Sequence, residues 1–181
     1  MPQPLGTRMT DLTAISPDLH ASLTQIYEEV MWLARRPKVS ASCARGWYTH
    51  IMAERVKRAI RQFTGSVSAE AVKNATAELR LEHYLRIQTT LTKLVERHRS
   101  QEISGAEEFI SKLIECEQVH IVTVAENYAA MRAKGEYTMA GIELVPWDKI
   151  ELKRRIELWR KMLRGSVANA AAYAPLPAVT T

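Results

Sequence analysis

The sequence predicts a mainly α-helical domain: a helical bundle around one long central helix, with a small two-stranded parallel βαβ insert. Three observations carry that expectation. No glycine or proline interrupts residues 68–99, and a helix of that length would span on the order of 45 Å. The flanking segments repeat apolar residues at helical spacing. By contrast VHIVTV, residues 119–124, is a short and mostly β-branched run that suits a strand buried on both faces.

Taken in order, the first helix is expected from Ser16, a good N-cap followed by Pro17 at the first helical position, with Leu19, Leu23, Ile26, Tyr27, Val30 and Leu33 on one stripe. Pro37 ends it. A second helix is expected over residues 40–63, with Tyr48, Met52, Val56, Ile60 and Phe63 inward and Thr64-Gly65-Ser66 as its break. The long third helix would bury Leu81, Leu85, Leu91 and Val95, and residues 107–116 make a short fourth.

After the 119–124 strand, Thr123-Val-Ala-Glu126 has the spacing of a capping box for the next helix, which Gly135 closes. Residues 141–145 read as a second strand, far enough from the first for a parallel crossover. A last helix follows, with Asp148 and Glu151 at capping-box spacing and Leu152, Ile156, Trp159 and Leu163 as its stripe. Residues 1–13 and 166–181 read as flexible segments on either side of a single domain, 14–165.

With 46% hydrophobic and 25% charged residues the composition is that of an ordinary globular domain. No membrane partner is expected, and the absence of a secretory pattern in MPQPLGTRMTD suggests a cytoplasmic location. Both cysteines, Cys43 and Cys116, read as small buried hydrophobes. Cys116 and His120 are four apart, but a helix-to-strand switch near Gln118 would separate them, so no metal and no organic cofactor is expected.

Catalytic signatures are sparse. There is no G-x-S-x-G, no phosphate-binding glycine loop and no dinucleotide fingerprint. Were the chain an enzyme, Glu126, Asp148 and His120 would carry it, because ligands gather beyond the carboxyl ends of parallel strands; capping explains the two carboxylates as well.

The formal charge of +5 draws attention to the basic helix faces. His50, Arg55, Lys57, Arg58 and Arg61 lie opposite the apolar stripe of the second helix, and Lys153, Arg154, Arg160, Lys161 and Arg164 flank that of the last. Side by side, these faces would neutralise several phosphates. The expected function is therefore that of a small accessory or regulatory protein that binds nucleic acid. The rival is a non-catalytic protein-interaction module, an inhibitor, adaptor or homodimer, using Met31, Trp32 and Trp47.

Overall fold

Two apolar clusters, one among helices and one against a sheet, organise the chain. The computed structural model describes residues 15–51 and 54–175, and the side chains of residues 51–55 lie outside that description. The expected inward position of Met52 and the expected phosphate contact of Arg55 therefore fall outside the described residues.

The helical cluster forms much as its apolar spacing dictates. Helix α1 (Pro17–Ala34) opens with the Ser16 hydroxyl accepting from the Leu19 amide at 3.3 Å. Helix α2 (Ala41–Gly46) is capped by Ser40 in the same way and widens into a π turn at Trp47–Ile51, followed by α3 (Glu54–Ile60). With α5 (Ile87–Ser100) and α6 (Glu107–Cys116) they enclose Leu23, Ile26, Val30, Tyr48, Leu91, Val95, Phe109 and Leu113.

The long central helix does not exist. Residues 62–68 are strand β1, Ala69–Lys73 a short helix α4 capped by Ser68, and Leu79–His83 strand β2, so that only Ile87–Ser100 of the expected span is one continuous helix. Two local causes outweigh helix propensity. Asn74 accepts from the amide and hydroxyl of Thr76, a side-chain turn that competes with the helix. Leu79 and Leu81 alternate with Arg80 and Glu82, a period of two that a neighbouring strand rewards. Leu91 and Val95 are buried as expected, whereas Leu81 and Leu85 are only half-buried.

The two-stranded parallel insert is likewise replaced, by a mixed four-stranded sheet of order β2-β3-β1-β4. Strand β3 (Gln118–Thr123) is the expected run, with Ile121 and Val122 fully buried. Its parallel neighbour is β1, while β2 pairs with it antiparallel. Strand β4 (Leu144–Pro146) runs antiparallel to β1 and does not touch β3. Sequence proximity of the two β-rich runs suggested a pair; β1, hidden inside an apparent helix end and break, takes the place between them.

One sheet face carries Phe63, Val67, Val119 and Ile121 and is covered by the chain after β4. There Trp147, Leu158 of α9 (Leu152–Leu158), Leu163 of the π turn Trp159–Leu163 and Val167 complete the second core. The π turn lets Leu158 and Leu163, five residues apart, both be buried, while Leu152, expected inside, is exposed. Asp148 lies in a 3-10 turn and Glu151 makes no side-chain cap, so the expected capping box is not formed. Residues 166–175 are docked: Tyr173 packs edge-on against Phe63, and the Asn169 side chain bonds both the amide and the carbonyl of Phe63 at 2.9 Å.

Candidate functional site: a tyrosine and histidine pocket on the polar sheet face

The other sheet face is unusually polar. Residue pairing sets Glu82 beside His120 and Arg80 beside Val122, with Thr64 of β1 reaching His120. Helices α7 (Val124–Arg132) and α8 (Tyr137–Ala140) pack near this face and leave a pocket of about 450 Å³ lined by Tyr84, Leu85, Arg86, His120, Lys134, Gly135, Glu136, Tyr137 and Leu144. That volume lies in the range of small-molecule sites.

His120 is its most constrained member. Only 6% exposed, it stands between the rings of Tyr84 and Tyr137, at centroid distances of 5.9 and 5.5 Å, both edge-on. Its Nδ1 lies 2.5 Å from Thr64 Oγ1. Burial lowers its pKa to about 4, so the ring is neutral at physiological pH. The Tyr137 hydroxyl is buried with no hydrogen-bond partner among the described residues, and burial, then the charges of Glu82 and Glu126, push its ionisation up. Burial also raises the Glu82 carboxyl, against the opposing pull of His83, Arg86 and Arg80.

The mouth is shaped by backbone. Lys134 and Gly135 both have positive φ, 57° and 92°, in a turn closed by the Gly135 amide on Ala130 O at 2.8 Å. A Cβ on Gly135 would come within 3.4 Å of Arg86 Cγ, so the absence of a side chain there lets the arginine stem lie across the turn.

A second polar cluster joins the two cores. Glu117, 1% exposed at the α6–β3 junction, accepts from Tyr48 Oη at 2.9 Å, and its other oxygen lies 3.2 Å from Arg61 Nε and 3.3 Å from His83 Nε2. Burial alone would raise its pKa; the His83 and Arg61 contacts and the Tyr48 hydrogen bond outweigh that and hold it below the usual carboxylate range. All its hydrogen-bonding capacity is turned inward, which marks it as a joint.

The residues singled out from sequence are distributed differently. Glu126 forms the expected capping box with Thr123 and also accepts from Ser68 Oγ at 2.5 Å. Asp148 is exposed and follows β4, which runs opposite to β1 and β3, so it is carried away from the end of the sheet that holds Glu126. His120 lies within β3 rather than at its end, and Cys116 is the last residue of helix α6; among the described residues no three His, Cys, Asp or Glu side chains are grouped to hold a metal. Cys116 is buried, its thiol pushed up to about 12 by burial, whereas Cys43 is exposed.

Of the basic residues, Arg61 turns inward to Glu117, and Lys57 donates to Thr49 O at 2.9 Å. Arg154 pairs with Glu157 and donates to Ala71 O at 2.6 Å. His50, Arg58, Lys153, Arg160, Lys161 and Arg164 are exposed. Met31 is a core residue, Trp47 donates to Glu29 at 3.0 Å, and Trp32 is exposed with the Arg36 guanidinium 4.1 Å above its ring. No described helix is long and apolar enough to cross a membrane.

Tyr84, Arg86, Glu117 and Tyr137 carried no motif in the sequence; the only available signal was the Lys134-Gly135 turn beside a tyrosine. Comparison with known proteins adds no relative: no family model, curated protein or solved structure matches this chain. Fold and site together define a mixed α/β domain with one histidine-centred pocket on a polar sheet face.

Proposed function

We propose that this protein binds a small flat ligand in the His120 pocket. The observation that carries the reading is a buried, uncharged histidine set between two tyrosine rings in an open pocket of about 450 Å³, beside a buried hydroxyl that has no partner among the described residues. Aromatic walls with a few fixed polar groups are the usual makeup of a small-molecule site.

Binding fits better than acid–base catalysis. A general base works best with a pKa near the working pH, and at about 4 the imidazole is a hydrogen-bonding group rather than an efficient proton acceptor at neutrality. Nucleic-acid binding by the helix faces has weaker support, because Arg61, Arg154 and Lys57 are engaged within the fold. A ligand-observed NMR screen of flat heterocycles tests the reading: saturable binders are expected, and Tyr84→Ala should weaken them by about tenfold or more, as the loss of one stacking wall implies. A screen without any binder would remove it.

A further inference from the structure

Hydrogen-bond accounting at His120 narrows the ligand. Thr64 has one hydroxyl proton, and Oγ1 donates it to Val119 O at 3.2 Å. With that proton placed on Val119 O, the 2.5 Å contact with His120 is a donation from Nδ1–H to Oγ1. In a neutral ring that leaves Nε2 as an acceptor; among the described residues no hydrogen bond to it is formed and it is not fully buried, and the side chain lines the pocket. A ligand that fills the site gains by offering a donor there, since covering that acceptor without giving it a partner is costly.

The rim adds two further chemistries. Arg86 and Lys134 supply cationic groups, and Glu136 supplies a carboxylate. Guanidinium and ammonium groups suit a phosphate, and a carboxylate suits sugar hydroxyls. The flanking tyrosines suit a flat ring.

We infer that the pocket takes a mononucleotide-like ligand, its base donating an N–H to His120 Nε2, its sugar hydroxyls meeting Glu136 and its phosphate meeting Arg86 and Lys134. This rests on the small-ligand reading above and specifies it. One ring, one sugar and one phosphate give His120, Glu136, Arg86 and Lys134 each a partner.

The test uses the full chain, labelled with nitrogen-15. Without ligand, the His120 ring should show the Nδ1–H tautomer; an Nε2–H tautomer would overturn the inference at once. Titrations then compare ribonucleoside monophosphates, the matching nucleosides, and nucleosides methylated at the base N–H. Monophosphates should bind saturably and shift Nε2, nucleosides should bind about tenfold more weakly, and methylation should abolish binding of at least one base.

His120→Phe should lose the monophosphate, and Tyr84→Ala, a change at a half-exposed side chain, should weaken it by about tenfold even if the first variant fails to fold. Equal affinity for the methylated base, or for nucleoside and monophosphate, overturns the nucleotide assignment while leaving a flat-ligand site standing. Failure of every flat compound, unrelated heterocycles included, removes the underlying reading too.

Discussion

A histidine that folds uncharged makes stability depend on pH. His120 moves from an ordinary value of 6.5 to about 4 on burial, so the unfolded chain binds its proton more readily than the native one. The contribution is fully present above pH about 6.5, falls as pH drops through the window from 6.5 to about 4, and is gone below it. Its size is of order 3 kcal/mol. Urea unfolding at a series of pH values should show this limb, and His120→Phe should flatten it. Glu117, held below the carboxylate range, contributes at more acid pH: its share is present above the unfolded carboxylate value and is lost as pH falls through the lower native one. At this scale the sequence was readable where partners are local. Ser16 and Thr123 bond an amide three residues on, a contact that spacing alone announces. Glu117 and His120 draw their meaning from Tyr48, Arg61, Tyr84 and Tyr137, which only the fold brings near.

Strand β1 shows how an element can be hidden. Its pairing shifts between Phe63 and Val67 around Gly65, whose φ of 82° is open to glycine and strained for other residues. The bulge breaks the alternation that would have revealed a strand, and the same Thr-Gly-Ser triplet resembles a helix stop. A Cβ at Gly65 would also approach Tyr173 Oη to 3.1 Å. Gly65→Ala is therefore expected to cost about 1–3 kcal/mol, read as a lower denaturation midpoint. Asn169→Ala should cost a comparable amount, because two backbone groups of Phe63 lose their partners. Helices α1, α5 and α6 were largely visible because their stripes repeat within one element; in α5, Leu91→Ala should cost about 2–5 kcal/mol in the same assay. Strand β2, only five residues long, offered too little alternation to override the surrounding helical composition.

For the whole molecule, the helical cluster and the sheet core meet where β1 and β3 begin and β2 ends, and Glu117 sits at that meeting point. Tyr48 reaches it from the helical cluster, Arg61 from the entrance of β1 and His83 from β2. Arg61→Met leaves a buried carboxylate short of its cation and should cost about 3–5 kcal/mol, whereas Tyr48→Phe removes one bond to a charged acceptor and should cost about 1.5–3 kcal/mol. Far-ultraviolet and tryptophan signals should fall together in the wild type, since Trp47 borders one core and Trp147 the other. This joint was not legible beforehand: Arg61 fits the exposed face of a helix only if the helix continues past it, and it stops at Ile60.

The sheet order also fixes a sequence of events during synthesis. Strand β1 leaves the ribosome well before β3 and β4, and the Phe63 amide waits longest, for Asn169. At roughly 5–20 residues per second, the future centre of the sheet spends several seconds with both edges bare. Bare strand edges recruit other chains. Thr64, Gly65 and Ser66 in the middle of β1 break its hydrophobic run and kink it, which makes the waiting segment a poor template for a neighbouring nascent chain; the bulge that disguises the strand also guards it until its partners arrive.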